Sequence, residues 1–245
     1  MDEDGYFGAE VAARYDAGSP ERFADDELGP TVELLAELAA GGPALEFAIG
    51  TGRVALPLAA RGVPVHGIDV SRAMVAELRA KPGGADLPVT IGDIAATRAG
   101  AAFTLVYLVF NTVNNLTTQD AQVACFANAA AHLAPGGRFL VEVGVPDLRR
   151  LPPGQSAVPF HVAERSWGFD TYDPATQAMT SHHIAIDDGR ARHTAVPFRY
   201  VWPSELDLMA RLAGLRPEAR WAGWHREPFT SDSTRHVSVW EKPRA

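Results

Sequence analysis

The chain has 245 residues, 47% of them hydrophobic and 21% charged, which is enough apolar material for one α/β domain or two small ones and rules out wholesale disorder. Against 22 Lys and Arg stand 30 Asp and Glu, a formal net charge of -8 that argues against nucleic acid as a partner, because a basic surface supplies most of that affinity. The single cysteine, Cys125, excludes an internal disulfide and a multi-thiolate metal site, so no metal is expected.

Met1-Asp2-Glu3-Asp4 opens the sequence without the apolar stretch of a signal peptide, and no apolar run approaches the roughly 20 residues needed to span a bilayer. A cytoplasmic protein, free of membrane, is expected. Residues 1–30 are acidic with scattered aromatics (Tyr6, Phe7, Tyr15, Phe23) and form an arm, either a short helix pair over a pocket or a partly disordered segment. Val32, Leu35 and Leu38 then recur at helical spacing until Gly41-Gly42-Pro43 stops them. An alternation follows: strand 44–48, helix 53–61, strand 63–68, helix 71–81, strand 88–91, strand 103–110, helix 119–133 ended by Pro135-Gly136-Gly137, and strand 138–143. Alternating strands and helices imply βαβ units, hence a parallel sheet covered on both faces. Pro57 sits early in the second helix.

Beyond Pro146 the pattern changes. Residues 146–157 read as a loop, and 158–202 as a β-rich insertion of two or three antiparallel strands at 160–171, 178–186 and 192–201. Helical spacing returns at Leu206, Met209, Leu212 and Ala213 before Gly214, and strands are expected at 218–224 and 236–240. The whole is organised as one domain: arm 1–30, ligand-binding core 31–145, insertion 146–202, and a last helix and strand pair 203–245.

The most informative stretch is Leu45-Glu46-Phe47-Ala48-Ile49-Gly50-Thr51-Gly52-Arg53, a strand entering a glycine-rich turn and then a helix. Such a turn lets a ligand approach the backbone and face the first N–H groups of the helix. Glu46 lies near the end of the first strand, Asp69 ends the second, and Asp93 follows the third. An acid at the second position can accept both hydroxyls of a ribose, and one at the third can accept from an adenine amino group, with Ile94 against the ring. As purely structural residues, Asp69 and Ser71 would open a helix and Asp93 would stabilise a turn. Gly50 and Gly52 are not followed by the third glycine that a dinucleotide pyrophosphate requires, which favours a nucleoside without phosphates.

These residues resemble the class I S-adenosylmethionine-dependent methyltransferases. In that family the first strand runs into E-x-G-x-G-T-G-R; here Glu46 to Arg53 follows the pattern with Ala48 in place of the first glycine. Asp69-Val70-Ser71 with Met74 is similar to the ribose-binding segment, and Gly92-Asp93-Ile94 to the adenine-binding one. Phe110-Asn111 follows the fourth strand, where the family lines the methionine end of the cofactor, and Leu133 to Gly137 matches the turn before its fifth strand. The resemblance covers roughly residues 31–144. It implies an α/β, Rossmann-like, doubly wound, mostly parallel seven-stranded sheet with a reversed last strand, and S-adenosylmethionine as methyl donor. It implies cofactor contacts from Tyr15, Glu46, Ala48, Gly50, Gly52, Arg53, Asp69, Val70, Met74, Asp93, Ile94, Phe110 and Asn111. The β-rich stretch looks like the insertion that covers the active site in small-molecule methyltransferases of antibiotic pathways, including those of deoxyamino sugars.

Methyl transfer from a sulfonium is an in-line displacement, so alignment of the nucleophile and exclusion of water dominate, and a base matters only for acceptors that carry a proton to be lost. Three residues are candidates for that work. His225 stands on the loop after strand 218–224, which reaches the cofactor edge if that strand is parallel; Glu142 near the end of the fifth strand could orient or deprotonate an acceptor, or simply support a neighbouring loop; Tyr15 belongs to the arm. His66 is expected to be structural and His132 solvent-exposed, while His161, His182, His183 and His193 are divided between the two faces of the insertion. The function expected is methyl transfer to nitrogen, oxygen or carbon of a small molecule, a specialised metabolite, by a monomer or homodimer. The alternatives are a nicotinamide-dependent oxidoreductase and a non-catalytic cofactor-binding scaffold.

Overall fold

A computed structural model describes residues 5–17, 25–100, 102–146, 148–187 and 189–244. Phe23 of the arm and Asp188 of an expected turn lie outside the described residues. The elements in chain order are α1 (Ala9–Tyr15), α2 (Asp25–Ala39), β1 (Ala44–Phe47), α3 (Ala55–Ala60), β2 (Val65–Asp69), α4 (Arg72–Arg79), β3 (Val89–Ile91), β4 (Phe103–Leu108) and α5 (Gln119–His132). They continue with β5 (Leu133–Gly144), β6 (Ala157–Val162), β7 (Ser166–Asp173), β8 (Ala178–Asp187), β9 (Arg190–Arg199), α6 (Pro203–Leu212), β10 (Arg216–Trp221) and β11 (Arg235–Glu241).

Seven strands form one sheet in the order β10-β11-β5-β4-β1-β2-β3. Only β11 runs against its neighbours: it is antiparallel to both β5 and β10, so β10 points the same way as β5. This is the expected doubly wound arrangement with a reversed last strand. The apolar run that predicted a central strand is β4, where Phe103, Leu105, Val106, Tyr107 and Leu108 have no exposed surface. On one face α2, α3 and α4 bring Leu35, Leu58 and Leu78 onto Leu105, Tyr107 and Val237; on the other, α5 and α6 pack Phe126, Leu206 and Met209 with Phe47, Phe139 and Trp240. Each such fully buried side chain contributes on the order of 1.5–3 kcal/mol, so both layers are fastened to the sheet.

Several boundaries differ from the sequence expectation. Helix α2 starts at Asp25, inside the stretch assigned to the arm, and carries Pro30 within it. Pro57 is the third residue of α3, in the first turn, where its missing N–H has no helical acceptor to lose. Helix α5 stops at His132 and the chain is extended from Leu133 onward, so the Pro-Gly-Gly segment lies inside β5 rather than ending the helix. His132 is not on an exposed face. It is 2% exposed, accepts the Ala99 N–H at Nε2 (2.9 Å), and sits edge-on to Phe47, and burial holds its pKa below the ordinary value.

The insertion is a separate four-stranded antiparallel sheet, β6-β7-β8-β9. The expected strand 160–171 is two strands, β6 and β7, because the chain turns at Ala163 to Arg165 without a glycine or proline to mark it; Ala163 N–H bonds Ser166 C=O at 2.9 Å. The gap in side chains at Gly168 lets the Phe160 ring lie across β7, since a Cβ there would sit 2.3 Å from it. The insertion is tied to the body by Arg199, 5% exposed, which pairs with Glu205 of α6 at 2.7 Å and bonds Gln177 and Gln122. Gln122 of α5 in turn donates to the carbonyls of Val113 (3.1 Å) and Arg199 (3.0 Å), fixing β9 beside the turn that follows β4. Among the described residues no helix is long and apolar enough to cross a membrane.

Candidate active site

The chain leaves β1 through a turn with three residues in the left-handed region: Ala48 (φ 55°), Gly50 (φ 57°) and Gly52 (φ 80°). At Gly52 a side chain is excluded twice, by that φ and because a Cβ would lie 3.0 Å from Leu78 and 3.1 Å from Leu56. Ala48 takes the same backbone conformation with a methyl group, a strain of about 1 kcal/mol or more. Met74, 4% exposed, packs under Gly50.

Asp69 stitches the first three strand ends together. Its Oδ2 accepts the Gly50 N–H at 2.7 Å, its Oδ1 accepts the Ser71 N–H at 2.8 Å, and its main-chain carbonyl accepts the Gly92 N–H at 2.8 Å. Ser71 also caps α4 as expected, accepting the Met74 N–H at 3.0 Å. Beside Asp69, Val70 leaves 52% of its surface exposed. Asp93 is exposed and its Oδ1 accepts the Ala95 N–H at 2.8 Å, so it shapes the turn after β3.

Glu46 sits below this rim. It is opposite Gly67 and Tyr107 in the sheet register and 3% exposed, and its Oε2 accepts the Tyr107 hydroxyl at 2.9 Å. Burial pushes its pKa up to about 8, against the lowering pull of the Tyr107 hydrogen bond and the Arg53 charge; the nearby Asp69 carboxylate adds to the rise. The Tyr107 phenol is raised well above its usual value, first by burial and then by Glu46.

After β4 the chain passes through two consecutive left-handed non-glycines, Phe110 (φ 64°) and Asn111 (φ 58°). Glu142 of β5 accepts the Phe110 N–H at 2.5 Å on its carboxylate and the Asn111 N–H at 3.2 Å on its carbonyl. Asn111 Oδ1 accepts the Gly144 N–H at 2.6 Å, and the Arg53 guanidinium lies 5.3 Å from the centre of the Phe110 ring. The arm closes a third side. Ser71 donates its hydroxyl to the Phe7 carbonyl at 2.7 Å; Asp16 accepts the Thr51 hydroxyl at 2.6 Å and pairs with Lys81, whose Nζ also bonds the Thr51 carbonyl. Tyr15 is partly buried and meets Phe7 edge-on at 6.2 Å. Arg192 of β9 reaches Glu10 of α1 at 3.8 Å, so the arm also touches the insertion; Arg192, His161, Ser166, His183 and Thr194 contribute to a cavity of about 280 Å³ there.

Residues 44–137 match the family model described as a methyltransferase domain. The solved CcbJ methyltransferase of Streptomyces caelestis is 35% identical, with 99% of this chain and 100% of that one covered and a TM-score of 0.84. The chain belongs to the S-adenosylmethionine-dependent methyltransferases. The methyltransferase is also 27% identical over 207 residues to a cypemycin N-terminal methyltransferase of Streptomyces sp, covering 82% of this chain and 84% of the relative. CalS10 of Micromonospora echinaspora, an amino pentose methyltransferase solved with S-adenosylmethionine bound, shares the fold with a TM-score of 0.70 at 23% identity, over 93% and 96% of the two chains. The methyl donor is S-adenosylmethionine, and the nicotinamide-dependent alternative is set aside.

The residues of the methyltransferase fit that donor: an acid at the rim for ribose hydroxyls, an exposed apolar side chain beside it, and a turn whose glycines admit close approach. The Asp69 carboxylate accepts the Gly50 and Ser71 N–H groups, and a carboxylate has lone pairs for about four hydrogen bonds in all. Ile94, expected against the adenine ring, is 8% exposed and packs beside Ile68 and Phe126, while Val70 is the more exposed apolar side chain next to Asp69. The loop of His225 leaves β10 at the expected edge and is held by the Ala222 N–H to Glu227 C=O bond and by Arg226 pairing with Glu37 at 2.5 Å, and His225 itself is exposed. The residues that sequence reasoning missed are Asp16, Lys81 and Tyr107 of the methyltransferase. Asp16 directly follows Tyr15, and Tyr107 is the one hydroxyl in an otherwise apolar strand from Leu105 to Phe110, a signal that could have been used.

Proposed function

We propose that this methyltransferase modifies an amine nitrogen of a small natural-product molecule, in the cytoplasm. Asp69 holds the ribose hydroxyls, Asp93 and Val70 the adenine, and the turn Ala48–Gly52 with Phe110 and Asn111 encloses the methionine part, with Tyr15 and Asp16 of the arm above it. The stitching of three strand ends by Asp69 carries this assignment, since it brings the proposed ribose acceptor within 2.7 Å of the glycine turn. Bound there, the donor supplies a methyl group on a cationic sulfur whose charge is lost as the methyl leaves.

What the chain itself does is orient and desolvate. The Glu142 carboxylate is engaged by the Phe110 N–H, which fits a supporting role better than proton abstraction. A neutral amine needs no base to attack, which suits a site where Asp69 and Glu142 are engaged by backbone N–H groups and Glu46 is buried. Nitrogen is favoured because a relative is named for methylating an N-terminus and similar folds include a sugar N-methyltransferase and a glycopeptide N-methyltransferase. Titration with S-adenosylhomocysteine followed by labelled donor and a panel of sugar, amino-acid and peptide amines, each beside its hydroxyl counterpart, tests this. Label on an amine is expected. Label on oxygen or carbon would overturn the acceptor assignment, and failure to bind S-adenosylhomocysteine would overturn the site.

A further inference from the structure

The left-handed pair Phe110-Asn111 has no glycine to make its conformation easy, so something must hold it. Two consecutive non-glycine residues at φ 64° and 58° are strained, and strain of this kind persists only where surrounding contacts over-determine it. Three contacts do so. The Glu142 carboxylate accepts the Phe110 N–H at 2.5 Å, its main-chain carbonyl accepts the Asn111 N–H at 3.2 Å, and Asn111 Oδ1 accepts the Gly144 N–H at 2.6 Å. The consequence reaches the facing wall of the cleft, because the Phe110 ring so placed lies 5.3 Å from the Arg53 guanidinium, the first residue after the glycine turn. Arg53 in turn acts electrostatically on Glu46 beneath that turn.

We propose that Glu142 is a positioning residue for methyl transfer: through the backbone of Phe110 and Asn111 it sets the Phe110–Arg53 contact that walls the methionine end of the donor cleft. The proposal rests on the cofactor site described above and adds a role that acts through another residue, with no proton moved. A carboxylate is suited to it because an ionised acceptor makes the stronger bond to an N–H. The reach also matters, since Glu142 spans from β5 to the tip of β4, and an aspartate would withdraw the oxygen by one methylene.

The test compares the whole protein with E142A, E142D, E142Q and F110L, reading S-adenosylhomocysteine affinity by calorimetry, melting temperature, and the rate of methyl transfer to an accepted amine. The parent must bind S-adenosylhomocysteine; if it does not, the cofactor site fails, and this is a different outcome from those that follow. E142A and E142D are expected to weaken binding about tenfold or more, F110L to weaken it similarly with little change in melting temperature, and E142Q, which keeps an acceptor oxygen, to recover most of the loss. If E142A does not fold, E142D and F110L decide the matter. Parent-like affinity in E142D or F110L would overturn the proposal. So would an E142Q variant that binds S-adenosylhomocysteine like the parent but transfers no methyl group, since that result assigns Glu142 to proton chemistry.

Discussion

Asp69→Asn separates the scaffold role of this residue from its ligand role. The carboxylate, 6% exposed, accepts the Gly50 and Ser71 N–H groups at 2.7 and 2.8 Å. An asparagine keeps one accepting oxygen and turns its NH₂ toward the other N–H, so one charge-assisted bond is lost and one buried donor is stranded. Each effect is worth roughly 1–3 kcal/mol, and about 3 kcal/mol together is a reasonable total. For a chain of this size 1 kcal/mol moves the melting temperature by roughly 2–4 °C, so the unliganded variant should melt about 6–12 °C below the parent. Ligand at 100 times its Kd stabilises the parent by about 2.7 kcal/mol, and this increment should shrink sharply in the variant, whose single free acceptor cannot serve both ribose hydroxyls. Scanning calorimetry with and without S-adenosylhomocysteine reads both quantities. An unliganded melting temperature within about 1 °C of the parent would refute the stitching argument, and a full ligand-induced shift in a variant that melts early would refute the ribose assignment.

The other expectations concern Glu46, the arm and the insertion. Because the folded state holds the Glu46 proton up to about 8 while the unfolded chain releases it near 4.5, this group makes stability fall as pH rises across that window, by at most about 1.4 kcal/mol per pH unit. E46Q should therefore out-melt the parent at pH 8 and lose that advantage near pH 5; parallel melting-versus-pH curves would count against the buried neutral acid. D16A removes a half-exposed ion pair worth about 0–1 kcal/mol, so its melting temperature should move little while S-adenosylhomocysteine leaves severalfold faster in stopped-flow; an unchanged off-rate would detach the arm from the site. R199A removes the charge partner of Glu205, which keeps hydrogen bonds from Gln119 and Gln177, and leaves the Gln122 and Gln177 amide oxygens without that donor; it should cost about 2–4 kcal/mol, with early proteolysis in β6–β9 as the companion readout.

What the sequence made legible was the periodic part. The apolar run of β4, the acids closing β1 to β3 and the glycine turn between them all rest on local patterns, and the sheet follows from them. Misjudged positions depend on partners far along the chain. His132 looked like a surface residue because α5 is built largely of alanine and small polar residues, so no face of it declares itself; the acceptor role of its ring toward Ala99 decides its burial. The loop that carries His225 leaves the expected edge, but its course depends on Arg226 meeting Glu37, 189 residues away in sequence, which no local pattern announces. The break between β6 and β7 had no glycine or proline to announce it. Ala48 is a different case, since its departure from the family pattern was visible while its left-handed backbone was not.

The arm touches both halves of the molecule: Asp16 on the glycine turn, Glu10 on the insertion. One short segment, from Glu10 to Asp16, thus bridges the turn after β1 and the separate four-stranded sheet. Under the proposed function, loosening that segment would slacken the grip at both ends together.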